Sequence, residues 1–235
     1  MIRFQNVSMA YPDGTVALRD VSLKIDDGEF VFLVGASGAG KTTLTKLLMC
    51  EELISSGILE VNGFHLEKMR AFRIPYLRRT MGVVFQDFRL FPNKTVYENV
   101  AFPMQAIGES GKRIRNAVPY FLDQVGLGEK AGSFPHQLSG GEQQRVAFVR
   151  AMVNNPKLII ADEPTGSIDN ELRDGLMDML LQANKGGKTV LFITHDTELL
   201  YHYRKRTVQL CKGRLVSDQY GFEGYVVPMD GGDPQ

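Results

Sequence analysis

Phosphate chemistry is written into one stretch, Gly35-Ala36-Ser37-Gly38-Ala39-Gly40-Lys41-Thr42-Thr43. It fits G-x-x-x-x-G-K-[ST], the pattern in which backbone N–H groups of a glycine-rich loop wrap phosphate oxygens. Lys41 has the reach to meet the β- and γ-phosphates of a nucleotide, and the Thr42 hydroxyl is placed to ligate Mg²⁺. Further along, Asp162-Glu163 offers two adjacent carboxylates, suited to holding a cation through water and to polarising an attacking water. His195-Asp196 supplies a histidine with the same kind of setting. Leu138-Ser139-Gly140-Gly141-Glu142-Gln143-Gln144-Arg145 puts a serine and two glycines at a helix start, a second place for an anion. On its own that last run is also an ordinary loop-to-helix junction, and adjacent acids are often no more than a solvated pair.

What makes these residues a set is the elements that must hold them. The apolar run Phe30-Val31-Phe32-Leu33-Val34 reads as a buried strand leading into the glycine loop. Thr43-Leu44-Thr45-Lys46-Leu47-Leu48-Met49 continues from it with helical spacing. Leu158-Ile159-Ile160-Ala161 is a second buried strand and ends on the acids. Thr189-Val190-Leu191-Phe192-Ile193-Thr194 is a third and ends on His195. In open α/β sheets ligands lie beyond the C-terminal ends of the strands, so all three groups belong at one edge. His65, His136 and His202 have no such setting and read as structural.

The rest of the chain frames that sheet. Ile2-Arg3-Phe4 and Val21-Ser22-Leu23-Lys24-Ile25, with turns at Pro12-Asp13-Gly14 and Asp26-Asp27-Gly28, predict a small antiparallel sheet. Gly57–Val61 and Met81–Phe85 add strands. Arg70, Arg73, Arg78 and Arg79 between them read as a solvated face rather than a nucleic-acid patch. Roughly residues 95–135 have helical character without sustained heptads, and residues 207–216 form a hairpin around Lys212-Gly213.

Composition narrows the class. The 235 residues carry 27 Lys+Arg and 27 Asp+Glu, so no basic footprint marks a nucleic-acid binder. Cys50 and Cys211 form no CxxC and read as free thiols. No signal-peptide h-region opens the sequence, and the apolar runs fall far short of the ~18 residues of a membrane span. The expectation is a cytoplasmic protein that meets a membrane only through a partner.

Taken together and in this order, the motifs resemble the nucleotide-binding subunit of ABC transporters over about residues 2–217. The resemblance implies an α/β fold: a RecA-like P-loop NTPase core with an N-terminal antiparallel β subdomain and an inserted α-helical subdomain, about 87–155. It implies one ATPase domain, taken over 1–220; residues 221–235 read as a flexible tail, with the stretch from 228, Pro-Met-Asp-Gly-Gly-Asp-Pro-Gln, as its disordered end. It makes Gln86 the Q-loop glutamine, Leu138–Glu142 the signature, Asp162 the Walker B carboxylate, Ser167-Ile168-Asp169 the D-loop and His195 the switch histidine. Tyr11 becomes the aromatic that stacks on adenine. The implied cofactors are ATP and Mg²⁺, the latter on Thr42, Gln86 and Asp162. The implied catalytic groups are Lys41, Glu163 and His195. Nucleotide contacts fall to Tyr11, the loop Gly35–Thr43, Gln86, Ser139, Gly140, Gly141, Glu142 and Asp169. The implied assembly is a head-to-tail homodimer, each ATP shared between one P-loop and the other subunit's Ser139-Gly140-Gly141. Glu142 in place of the usual glutamine, and Ile168, depart mildly from the pattern.

Pro164–Asp169 resembles the branch whose permeases work by mechanical transmission. Gln86–Leu90 and Lys94–Phe102 turn the resemblance toward its cell-division members, which act through an integral-membrane permease on peptidoglycan hydrolysis. Lipoprotein-release or macrolide-export cassettes are the alternative. Residues 87–105 are the candidate permease groove, with Phe88, Leu90, Phe91 and Tyr97 as its wall or as subdomain core. A DNA-repair type of ATPase would need a long coiled coil between Thr42 and Leu138, and the stretch is too short for one.

Overall fold

The computed structural model describes residues 1–164 and 170–225. Two sheets carry the fold. In the first, β1 (Ile2–Ala10), β2 (Val16–Ile25), β4 (Ser56–Val61) and β5 (Phe64–His65) pair antiparallel in the order β2-β1-β4-β5. These strands are longer than the sequence suggests. The alternation of β1 and β2 is broken where Asn6 and Asp20 take left-handed conformations, at φ 48° and 51°, beside shifts in register. Such bulges twist a strand without ending it, but they erase the period-two signal.

The second sheet has the order β10-β9-β3-β8-β7-β6, from β10 (Arg214–Tyr220), β9 (Arg206–Cys211), β3 (Phe30–Val34), β8 (Thr189–Ile193), β7 (Leu158–Asp162) and β6 (Met81–Phe85). From β9 to β6 the strands are parallel, and β10 returns antiparallel at the edge. The register sets Leu33 against Ile193 and Ile193 against Asp162. The three strand ends that carry the chemistry are therefore level, and their outgoing loops emerge at one edge of the sheet.

Both faces of this sheet are buried, which explains its continuous apolar runs. Along β3, Val31 and Leu33 pack toward the antiparallel sheet with Leu44 and Leu47 of α1 (Lys41–Leu48). Phe30, Phe32 and Val34 pack the other way, with Phe192, Leu176 and Leu180 of α6 (Asn170–Lys185) and Leu199 and Leu200 of α7 (Thr197–Tyr203). A short α2 (Ile74–Arg78) buries Leu77 and leaves Arg73 and Arg79 at the surface.

Between the neighbouring strands β6 and β7 the chain leaves the sheet to build α3 (Val96–Ala106), α4 (Gly111–Gln124) and α5 (Gly140–Met152). Val96, Val100 and Met104, Ile114, Val118 and Leu122, and Val146 and Val149 form a separate core, each group at helical spacing. Thr95 and Glu98 close a capping box on α3, and Ser110 caps α4. Leu90 and Tyr97 pack against this core, whereas Phe91 stands at the surface against Phe102, ring centroids 4.8 Å apart. Among the described residues no helix is long and apolar enough to cross a membrane.

Arg206 ties the far edge together. Its guanidinium donates to both carboxylate oxygens of Asp218 at 2.7 Å, to Glu29 at 2.7 Å and to the Lys24 carbonyl at 2.9 Å. Asp218 first, then Glu29, hold its charge more firmly than for a free arginine. Removing it strands two part-buried carboxylates, so Arg206→Met should destabilise the fold by about 2 kcal/mol, read as a lower urea midpoint at unchanged slope. An unchanged midpoint would make the cluster a surface ornament.

Candidate nucleotide-binding and catalytic site

The glycine loop turns between β3 and α1 because two of its positions exclude side chains. At Gly35 a Cβ would lie 2.4 Å from the Leu210 carbonyl oxygen of β9. Gly40 stands at φ 107°, where a Cβ would meet the Ala17 carbonyl oxygen at 2.8 Å. The turn delivers the chain to the start of α1 with no side chain capping it and no acid in its first turn. α3, α4, α5 and α7 by contrast are capped by Thr95, Ser110, Ser139 and Asp196. The positive end of α1 is thus left for an external anion, the physical requirement of a phosphate cradle.

Around it lies a cavity of about 750 Å³ lined by Tyr11, Gly35–Thr43, Glu163 and His195. Lys41 is only 7% exposed, and its ammonium donates to the Gly35 carbonyl at 2.7 Å and the Ala36 carbonyl at 3.2 Å. It also stands 3.8 Å from Glu163 Oε1. Glu163 follows β7 in a left-handed conformation, φ 46°, its N–H held by the Ile193 carbonyl. That turn, strained for a side-chain-bearing residue, swings the carboxylate off the strand line to lie between Lys41 and His195. Glu163 Oε2 is 3.4 Å from His195 Nδ1. A cation, a carboxylate and an imidazole therefore share one end of the cavity. At another part of its wall, the Tyr11 hydroxyl is 3.0 Å from the Thr43 hydroxyl, which fixes the ring beside the loop.

Asp162 sits at the last position of β7, and its carboxyl is pushed above the usual carboxylate range. Burial is the main cause and the Glu163 charge the second, with Arg89 and Lys41 pulling the other way. Two adjacent acids with excess negative potential are a fit for a divalent cation at this edge. Among the described residues no group of three His, Cys, Asp or Glu could hold a metal by itself. A cation here would need further oxygen ligands, of the kind the Thr42 hydroxyl and a phosphate could supply.

Not every expected residue is in this cavity. Gln86 is exposed just beyond β6 and lines no part of it. Ser139, Gly140, Gly141 and Glu142 stand at the start of α5, also outside it. Ser139 caps α5, its hydroxyl accepting from Glu142 N–H at 3.3 Å and so keeping its own proton to donate. Glu142 is engaged within its own chain: one carboxylate oxygen accepts from Ser139 N–H at 2.9 Å and the other meets the Lys130 ammonium. Lys130 first, then the Ser139 backbone, hold its carboxyl below the ordinary value. Asp169, with the rest of the expected D-loop, lies outside the described residues.

Part of the lining belongs to no motif. Thr15 of the β1–β2 turn and Val16 and Ala17 at the start of β2 contribute, and so does Tyr225. Packing runs past residue 220, into the segment whose composition predicts a flexible tail. Phe222 is 7% exposed and belongs to the core under α6 and α7.

An α/β sheet with a P-loop, two acids and a histidine at one edge, an antiparallel sheet in front and a helical insertion, defines an ATP-binding cassette. Residues 18–166 match the ABC transporter family, and the chain belongs to that family and is an ATPase. It is 46% identical over 227 residues to the Cell division ATP-binding protein FtsE of Streptococcus pneumoniae, covering 95% of this chain and 99% of that one. It is 48% identical over 220 residues to FtsE of Mycobacterium tuberculosis (93% and 96% covered) and 46% over 215 to FtsE of Escherichia coli K12 (92% and 97%). Among solved structures it is similar to the ATP-binding cassette MJ0796, described as a dimer in a post-hydrolysis state with ADP and Pi. The TM-score is 0.83 at 33% identity, covering 94% of this chain and all of that one.

Proposed function

We propose that the chain is the ATPase of a cell-division complex, working at the cytoplasmic face of the membrane on an FtsX-like integral-membrane permease. Identity near half the positions to FtsE over almost the whole length is the observation that carries this reading, and it disfavours the lipoprotein-release and macrolide-export alternatives.

The geometry supports a division of labour between two copies. Lys41, the free start of α1 and the Gly35–Thr43 N–H groups bind the phosphates from one side. The cavity remains open on the other, and the capped Ser139-Gly140-Gly141 start of α5, outside the cavity of its own chain, closes it from a second subunit. Thr42 and Asp162, with Gln86 at the end of β6, would hold Mg²⁺, which would supply charge neutralisation at the phosphate oxygens. Glu163 orients and deprotonates the attacking water, and His195 keeps its carboxylate turned toward the γ-phosphate. Hydrolysis cleaves the β–γ phosphoanhydride, so that the γ-phosphate no longer bridges the halves and they part; the output is movement passed to the permease and, through it, to peptidoglycan hydrolases.

A groove of about 640 Å³ between α2, β6, α3 and α5 receives the permease. Phe91 and Phe102 line it, and the arginines Arg79, Arg89 and Arg150 rim it. Of the four apolar residues expected there, Phe91 alone lines the groove; Leu90 and Tyr97 serve the helical core, and Phe88 is not in the lining. Phe102, 41% exposed, should be the more permissive handle. Phe102→Lys should abolish co-purification of the permease from detergent-solubilised membranes while basal ATPase stays within about twofold of wild type, because a cation in a groove already rimmed by arginines cannot enter an apolar contact unpaired. Retained permease would move the docking site elsewhere, and capture of a lipoprotein-release permease by wild type would overturn the cell-division assignment.

A further inference from the structure

The cavity has a wall that none of the motifs supplies. After β10 the chain turns at Gly221, whose N–H donates to the Lys205 carbonyl, and folds back along α7. Phe222 is buried there against Tyr201, ring centroids 5.3 Å apart and edge to face. Tyr225 then packs edge to face on Phe222 at 5.2 Å. This aromatic chain anchors the segment to the helix that begins directly after His195. Tyr225 itself stays 42% exposed and lines the same cavity as the P-loop, Glu163 and His195.

Its position along the cavity is set by its neighbours. Burial first, and then the Asp196 charge, push the Tyr225 phenol above its ordinary value. Asp196 adjoins His195, which with Glu163 and Lys41 marks the end where the terminal phosphate belongs. The segment is anchored through Phe222 and Tyr201 on α7, whose N-cap Asp196 adjoins His195, and Tyr225 shares the cavity wall with His195 and Glu163; this places it at the γ-phosphate end, where its phenol carries its proton. A phenol in that state donates one hydrogen bond and suits an anionic oxygen.

We propose that Tyr225 is a further nucleotide-binding residue, whose hydroxyl donates to the γ-phosphate of ATP and so separates ATP from ADP. The proposal rests on the assignment of this cavity to ATP. In it, loss of the γ-phosphate on hydrolysis removes Tyr225's partner, and the C-terminal segment then reports which nucleotide is bound.

The test measures the affinities of the purified full-length chain for ADP and for a non-hydrolysable ATP analogue, together with KM and kcat, in Tyr225→Phe and Tyr225→Ala. A charge-assisted hydrogen bond from a half-exposed donor corresponds to about a five- to tenfold loss of affinity. Both variants should show that loss for the ATP analogue and less than about twofold for ADP, with KM for ATP raised and kcat little changed. Wild-type affinities in both would overturn the proposal. So would a loss in Tyr225→Ala alone, which would assign the ring and not the hydroxyl, or an equal loss for both nucleotides. Tighter binding in either variant would make the segment an obstruction and overturn it as well. Failure of the wild type to bind either nucleotide would count against the cavity assignment itself, and is thus distinguishable.

Discussion

Glu163→Gln should bind ATP about as well as wild type and hydrolyse it about 10³-fold more slowly, the scale of a lost general base. The substitution keeps shape and hydrogen-bonding atoms and removes only the negative charge and the proton-accepting capacity. Glu163 stands 3.8 Å from Lys41 and 3.4 Å from His195, so an isosteric amide leaves both neighbours in place. The loss of charge also relieves Asp162, which the Glu163 carboxylate now burdens. Binding should therefore not weaken, and the ATP-loaded state should accumulate. If two copies share each nucleotide, that state is a dimer, and size-exclusion chromatography in saturating ATP should show Glu163→Gln at twice the mass of the nucleotide-free chain. A monomer under those conditions would refute the shared site, and wild-type turnover would remove Glu163 from the chemistry.

The sequence made the strand ends legible and left the turns between them hidden, for a physical reason. Phe30–Val34, Leu158–Ala161 and Val190–Ile193 are buried on both faces, so each reads as an unbroken apolar run and its last residue can be located. That fixed the places of Gly35, Glu163 and His195. The left-handed turn at Glu163 could not be read, because it is imposed by the Ile193 carbonyl that holds its N–H across the sheet. Glu142 read as part of a nucleotide contact, yet its carboxylate is spent on Ser139 and Lys130. The Ser-x-x-Glu spacing of a capping box was present in the sequence and is the simpler signal. Tyr225 escaped because a glycine- and proline-rich tail comes after it, and only the burial of Phe222 shows that order continues that far.

Lys41→Ala should weaken ATP binding by about 100-fold, as expected when charge-assisted hydrogen bonds to phosphate are lost from a site with no substitute. Its ammonium is one of the most buried charges in the fold, and in this structure it is satisfied by the Gly35 and Ala36 carbonyls of its own loop. Those contacts are neutral acceptors, so phosphate oxygens compete for the ammonium and prevail by charge. The alanine variant removes the cation without vacating an apolar core, since the side chain lines an open cavity. The nucleotide-free melting midpoint should accordingly shift little. The stabilisation that saturating ATP gives the wild type, which arises from binding to the folded state alone, should disappear at the same concentration. Measured together, the two midpoints separate a binding role from a folding role: loss of the nucleotide-dependent increment alone assigns Lys41 to the phosphates. An increment equal to wild type would mean that the uncapped start of α1 holds the nucleotide without it.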